Sequence, residues 1–104
     1  MESWKAVDRA WRPVLERLRN EGFDIEERGV GIAFPVQLSG RLPTGESFYF
    51  RERSGHVWLG VGGDDPVVDP TWRVQFELRG SDMSEEFLLP EETYALLTRL
   101  LAER

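Results

Sequence analysis

The chain has 104 residues, 40% of them hydrophobic, and its 19 acidic against 13 basic side chains give a net charge of -6. The absence of cysteine excludes disulfides, thiol nucleophiles and thiolate-bound metals, while four tryptophans and six phenylalanines are too many for a disordered chain. The length fits one folded unit, so we predict a single domain over residues 1–104.

Apolar side chains recur at three- and four-residue steps near the start of the chain: Trp4, Val7, Trp11, Leu15 and Leu18. This spacing predicts an amphipathic helix that ends near Asn20 and is closed by Gly22. Pro13 falls inside the pattern, where it removes a backbone hydrogen bond. We therefore expect either a kink at Pro13 or a second helix that starts there.

Two extended segments follow the helix. Phe23 and Ile25 alternate with acidic residues, and an extended pattern resumes over residues 30–42, where Pro35 interrupts it. Because proline cannot donate to a strand ladder, this pattern predicts an edge strand or a strand with a bulge. The sequence Pro-Thr-Gly at 43–45 then predicts a turn.

The segment from Ser39 to Arg79 reads as a series of antiparallel strands with strict alternation of apolar and polar residues. A first turn that pairs Leu42 with Glu46, followed by a second turn at Ser54-Gly55, fixes the register of two hairpins. The predicted core-side pairs are Leu38 with Phe50, Gly40 with Phe48, Phe50 with Leu59, and Phe48 with Val61, with Val57 on the same side.

A last strand and a last helix complete the predicted order of elements. The strand alternates apolar Trp72, Val74, Phe76 and Leu78 with polar residues, and the helix starts at Pro90 with an apolar stripe of Tyr94, Leu97, Leu100 and Leu101. We predict an α+β fold with two layers: an antiparallel meander sheet of four to five strands, and an N-terminal and a C-terminal helix packed on one face.

The same alternation predicts which side chains face away from the helices. They are Gln37, Ser39, Arg41, Ser47, Tyr49, Arg51, Arg53, His56, Trp58, Arg73, Gln75, Glu77 and Arg79. This set has five arginines and one glutamate, so the predicted open face is cationic although the whole chain is acidic. Arginine and aromatic side chains often cover strands with their amphipathic bodies alone, so a merely solvated face is one interpretation.

The alternative interpretation is a binding surface for an acidic macromolecular partner, because tryptophan, tyrosine and arginine are enriched in interface hot spots. The candidate partner-binding residues are Tyr49, Arg51, Arg53, His56, Trp58, Arg41 and Arg73. The predicted register places Arg51 opposite Trp58 and Arg53 opposite His56, where a guanidinium could lie over the indole.

Catalysis and metal binding find little support in the sequence. His56 is the only histidine, and the pattern supplies neither a nucleophile nor an orienting group for it. Asp64, Asp65 and Asp69 lack the spacing of a calcium loop, and both Asp-Pro pairs are typical turn starters. We expect no enzyme activity, no metal and no cofactor.

The expected function is that of a small non-catalytic protein-interaction module of the inhibitor, immunity or accessory type. One alternative is binding of single-stranded nucleic acid by the same face, which is disfavoured because residues 81–104 carry six acidic and only two basic side chains. Another is a small-ligand binder or uncatalogued enzyme with a pocket between helices and sheet.

Partner and compartment are predicted only in outline. We expect a protein partner of unspecified identity, no nucleic acid and no membrane, and a monomer or weak homo-oligomer in which an acidic patch of Asp82, Glu85 and Glu86 meets the cationic face of a second copy. The chain shows neither an apolar leader segment nor a run of apolar residues long enough to span a bilayer, so we expect a cytoplasmic protein.

Overall fold

The elements follow the predicted order in the computed structural model, which describes residues 2–26, 36–53, 55–77 and 90–104, with side chains for 9–26, 37–53, 55–77 and 90–104. They are α1 (Glu2–Asn20), β1 (Asp24–Ile25), β2 (Val36–Arg41), β3 (Ser47–Arg53), β4 (His56–Val61), β5 (Trp72–Glu77) and α2 (Pro90–Ala102). The five strands pair antiparallel in chain order, so β3 is central. The predicted α+β fold with an antiparallel meander is confirmed.

Helix α1 contributes Trp11, Val14 and Leu18 to the core. It runs without a break through Pro13, so the prediction of a second helix starting there was wrong. The Pro13 ring lies on the exposed side, while Trp11 and Val14 on either side of it are buried against the same core. Packing of the apolar stripe against the core on both sides of Pro13 therefore stabilises one continuous helix. The side chains of Trp4 and Val7 lie outside the described residues.

Helix α1 ends in a glycine cap, as predicted. Gly22 adopts a φ of 104°, a left-handed conformation that glycine takes without steric cost. The Gly22 N–H donates to the Arg19 carbonyl and the Phe23 N–H to the Leu18 carbonyl, both at 3.0 Å, which is the Schellman pattern. This turn directs Phe23 into the core, where its ring meets the Phe48 ring edge-on at a centroid distance of 6.0 Å.

The strand register agrees with the prediction on both hairpins. The confirmed pairs are Leu38 with Phe50, Gly40 with Phe48, Phe50 with Leu59, and Phe48 with Val61. At the first turn the Leu42 N–H donates to the Glu46 carbonyl at 2.8 Å, and Gly45 takes a positive φ of 95°. Residues 27–35, which include the Pro35 expected to mark an edge or a bulge, lie outside the described residues.

The core lies between the helices and one face of the sheet, as a two-layer fold requires. It joins the buried residues of α1 to Leu97 and Leu100 of α2 and to the inward side chains of the strands. On β5 the inward side chains Trp72, Val74 and Phe76 are only half-buried. Leu78, predicted on the same strand, and Arg79 lie outside the described residues.

Two polar side chains are also fully buried among the described residues, Glu52 and Thr93. Glu52 follows Phe48 and Phe50 on the core side of β3, and its Oε2 accepts the Gly55 N–H at 2.9 Å across the second hairpin turn. Glu52 was not predicted to lie in the core, although the alternation that places the two phenylalanines inside also places Glu52 there. Its carboxylate supports the turn from the core side.

Polar contacts also join separate elements. Between the helices, the Tyr94 hydroxyl donates to Glu21 Oε2 at 2.6 Å, which raises the pKa of Tyr94. At the end of α2, the Arg104 guanidinium donates to both carboxylate oxygens of Glu46, at 3.0 and 2.9 Å, and lies 5.4 Å from the centroid of the Trp72 ring. The second contact ties α2 to the turn between β2 and β3.

Candidate functional site: a groove on the outer face of the sheet

The hairpin of β3 and β4 positions most of the predicted binding residues. Its register sets Arg51 opposite Trp58 and Arg53 opposite His56, as predicted. Tyr49 lies two residues before Arg51 on the same strand and therefore shares its face. Because side chains alternate along a strand, all of them point away from the core.

These side chains line one groove of about 390 Å³. We call it the outer groove, and its lining residues are Tyr49, Arg51, Arg53, His56, Trp58 and Val67. The volume falls within the range of roughly 300–1,000 Å³ seen for ligand clefts. Five of the seven predicted binding residues therefore converge on a single concave site.

The aromatic wall of the groove is formed by two rings in contact. The centroids of Tyr49 and Trp58 are 5.8 Å apart, with ring planes inclined by 58°. The Trp58 indole lies along its own strand over Gly60, where an added Cβ would be 2.5 Å from the ring. The register allowed the Arg51 guanidinium to lie over this indole, but no such contact is present among the described residues, and the ring lies over Gly60 instead.

The connection between β4 and β5, residues 62–71, folds back onto the outer face. A Cβ at Gly60 would collide with the Pro66 carbonyl, so the missing side chain is what lets the loop approach the sheet. The Asp65 side chain accepts the Val67 N–H at 3.0 Å, which fixes the local turn. The prediction of a wholly open face was wrong here, since the loop covers part of it.

Val67 is the groove residue that sequence reasoning missed. The residue is 50% exposed, so it offers apolar surface at the edge of the groove. The available signal was Gly60, because a glycine inside a strand often marks the close approach of another backbone segment. Gly60 predicts that another backbone segment approaches the sheet, but it does not identify the loop residue that faces the groove.

The cationic and titratable side chains of the groove differ in whether they have a polar partner within the protein. Within the described parts of the chain, the half-buried Arg51 guanidinium has neither a hydrogen bond nor an ion pair. His56, which is exposed, has its Nδ1 at 3.3 Å from Oε2 of Glu77 on β5. Arg51 therefore keeps its full set of hydrogen-bond donors for a ligand.

The remaining two predicted residues lie outside the groove. Arg41 donates to the Gly45 carbonyl at 2.9 Å and so belongs to the first hairpin turn, at the other end of β3. Arg73 is exposed on β5 opposite Gly60, and it does not line the outer groove. The structure thus separates these two cations from the five residues that converge.

Other candidate sites can be placed as well. The aspartates at 64, 65 and 69 lie in the loop that covers Gly60, and Asp65 serves its local turn. In the ranges that the structure describes, three or more His, Cys, Asp or Glu side chains are nowhere grouped so that they could hold a metal ion. Among these residues neither helix has the length and apolarity needed to cross a bilayer.

Comparison of the chain with protein-family models, with curated protein sequences and with solved structures found no match. The geometry of the outer groove is therefore the basis for assigning a function.

Proposed function

We propose that this chain is a non-catalytic protein-interaction module, of the inhibitor, immunity or accessory kind, that binds an acidic segment of a protein partner in the outer groove. The proposal is supported by the convergence on one groove of about 390 Å³ of the Tyr49–Trp58 pair, the half-exposed Val67, and Arg51, which has no partner among the described residues. Aromatic and arginine side chains in a concave, partly desolvated setting are typical of interface hot spots.

Arg51 supplies the specificity for a carboxylate. A guanidinium presents its N–H donors in a planar fork, which matches the two oxygens of an aspartate or glutamate. Since Arg51 is half-buried and without a partner among the described residues, a carboxylate bound there gains charge-assisted hydrogen bonds that no internal residue already makes. This favours an acidic ligand over a neutral one.

Trp58 supplies a preorganised apolar surface. Its ring is held between Tyr49 and the gap at Gly60, so it loses little conformational freedom when a ligand packs against it. Val67 extends this apolar surface from the loop side. A partner side chain that is apolar therefore has a place to pack beside the carboxylate bound by Arg51.

The geometry favours a protein over single-stranded nucleic acid. Successive bases stack best on exposed rings, whereas Tyr49 and Trp58 contact each other at an inclination of 58°. Acidic side chains also border the site: Glu77 lies beside His56, and Asp65 lies in the loop that carries Val67. A phosphate backbone, which has a negative charge at every nucleotide, would meet these carboxylates, whereas a protein segment needs only one acidic side chain at Arg51.

The proposal is tested by selecting peptides from a random displayed library on the wild-type protein. A double variant, Arg51→Ala with Trp58→Ala, should lose the selected peptides by about 30-fold or more in affinity, because both truncations remove hot-spot side chains. Arg73→Ala is the matched control, since it removes the same charge from the same face outside the groove. Thermal midpoints of all variants verify that they remain folded.

The expected result is enrichment of peptides with aspartate or glutamate next to an apolar residue, retained by Arg73→Ala and lost by the double variant. Selected peptides that bind the double variant as well as the wild type would place recognition elsewhere on the molecule. Enrichment of peptides that contain no acidic residue would contradict the role of Arg51.

A further inference from the structure

A second groove of about 320 Å³ adjoins the outer groove on the same face of the sheet. The two share Tyr49 and Val67 as a common wall. On the far side of that wall the second groove is lined by Glu26, Ser39, Asp65 and Pro66. We call it the acidic groove, because among the described residues that line it there are two carboxylates and no cationic side chain.

The described side chains that line the two grooves are therefore of opposite charge. Arg51 and Arg53 line the outer groove, whereas Glu26 and Asp65 line the acidic groove. Glu26 accepts only the Ser39 hydroxyl, at 3.2 Å, among the described residues, and it remains exposed. A carboxylate has about four lone-pair sites, so Glu26 keeps most of its capacity to accept donors from a ligand.

Strand geometry gives the separation of the charges. Arg51 lies two residues from Tyr49, which is about 7 Å along β3. Glu26 donates its N–H to the carbonyl of Ser39, the partner of Tyr49 on β2, so Glu26 lies two strand spacings, or about 10 Å, to the side. The diagonal is about 12 Å, which an extended peptide covers in three to four residues.

We propose that the segment bound across both grooves is dipolar: an extended stretch of the protein partner with an acidic side chain at Arg51 and a basic side chain three to four residues away at Glu26 and Asp65. An apolar side chain between them packs against Trp58 and Val67. This inference rests on the proposed function, because it specifies the ligand of the same site. A wholly acidic segment of that length would place a carboxylate against Glu26 and Asp65, and like charges at close range are destabilising.

The test uses synthetic peptides of equal length, titrated into the isotope-labelled protein by NMR. The dipolar peptide has glutamate and lysine separated by three residues with a central leucine; the acidic peptide has glutamate in place of the lysine; the neutral peptide has glutamine at both positions. We expect the dipolar peptide to bind about fivefold more tightly than the acidic one, the size of one exposed ion pair.

Charge reversal on the protein sharpens the comparison. Glu26→Lys should reverse the order, so that the acidic peptide binds more tightly than the dipolar one. Glu16→Lys is the matched control: it makes the same charge change at an exposed position on α1, in the other layer of the fold, and should leave the order unchanged. Asp65 is left intact because it supports the turn at Val67.

The outcomes separate the two proposals. If the acidic and dipolar peptides bind the wild type equally and both lose binding in Arg51→Ala, the dipolar ligand is overturned. The proposed function then still holds. Failure of all three peptides, or a single-stranded oligonucleotide that binds more tightly than any of them, overturns both. An order that reverses in Glu26→Lys and not in Glu16→Lys supports both.

Discussion

Thr93 places a hydroxyl in the core that has no hydrogen-bond partner among the described residues. A buried polar group without a partner destabilises a fold by about 1–3 kcal/mol relative to one that is satisfied. Thr93→Val replaces the hydroxyl by a methyl group of similar shape, and valine and threonine have similar helix propensity. We therefore expect the free energy of unfolding to rise by roughly 1 kcal/mol, measured as a higher urea midpoint with an unchanged slope.

Thr98→Val is the control for that substitution. Thr98 lies five residues later on α2, where its hydroxyl donates to the Tyr94 carbonyl at 2.9 Å. Removing this hydroxyl therefore breaks a hydrogen bond, whereas the Thr93 hydroxyl has none to lose among the described residues. We expect no gain in stability from this variant. A Thr93→Val protein less stable than the wild type would show that the hydroxyl has a stabilising contact.

Glu52 shows that alternation can give the position of a residue without giving its role. Its place on the core side follows directly from the alternation of β3, which also buries Phe48 and Phe50. Its partner does not follow from alternation, because the bond to the Gly55 N–H depends on the exact path of the hairpin turn. Sequence periodicity thus gives the face of each side chain, whereas the hydrogen bonds require coordinates.

At the scale of the elements, local signals explain what the sequence could predict. The turns at Gly45 and Gly55 take positive φ values of 95° and 84°, which glycine adopts readily, and each turn fixes the register of its hairpin. The pairing of Arg51 with Trp58 was therefore predicted correctly. These signals act within a few residues and need no knowledge of the remaining chain.

The parts of the site that could not be predicted depend on contacts between distant residues. The loop that carries Val67 is held by the Ser47 hydroxyl, which donates to the Gly63 carbonyl at 3.3 Å, and by the Thr71 hydroxyl on the Val61 carbonyl at 3.0 Å. Such contacts leave no periodic signal in the sequence. The direction of the Trp58 ring follows from this loop and Gly60, so it was missed together with the groove wall.

The contact between α2 and the first hairpin turn predicts a pH dependence. Hydrogen bonds from Arg104, and a further one from Thr44, lower the pKa of Glu46 below its ordinary value of 4.5. Because the pKa is lower in the folded protein, the contact stabilises fully above 4.5 and is lost as the pH falls through the lower folded value. Glu46→Gln should therefore lower the free energy of unfolding at neutral pH, and this difference should vanish in acid.

Urea unfolding across acidic and neutral pH measures this difference, with Glu103→Gln as the control. Glu103 also contacts an arginine, but its Oε2 is 3.8 Å from Arg99 Nε and both side chains are more than 60% exposed, at 63% and 64%. Such an exposed pair contributes little, so this variant should match the wild type at every pH. A Glu46→Gln effect of equal size at acidic and neutral pH would show that charge is not its origin.

At the scale of the whole molecule, the two faces of one sheet have separate roles. The inner face is covered by both helices and contains side chains with no solvent exposure, such as Phe48 and Phe50. The outer face has the two grooves of opposite charge on a molecule whose net charge is -6. Since overall negative charge repels an acidic partner at long range, attraction must come from the groove at short range, where screening by salt is weaker.

The distribution of burial across the sheet predicts how stability is distributed. The inward side chains of β3 and of Val57, Leu59 and Val61 on β4 are fully buried, whereas those of β5 are half-exposed. We expect amides bonded between β3 and β4 to exchange with solvent only through global unfolding, and amides between β4 and β5 to exchange through smaller openings. Native-state hydrogen exchange by NMR measures both rates, with the slowest amides setting the global free energy.

This gradient affects the outer groove, because the groove is lined by residues of β3 and β4 and by one residue of the loop. Arg51 lies on β3 and Trp58 lies on β4. Val67 lies on the loop, where its own N–H donates to the exposed side chain of Asp65. The Val67 amide should therefore exchange with solvent orders of magnitude faster than the amides bonded between β3 and β4. Equal protection of β5, the loop and β3 would mean that the molecule opens as one unit. The expected gradient instead gives rigid strands that hold Arg51 in place for the ligand carboxylate, and a loop that adjusts to an apolar side chain of the ligand.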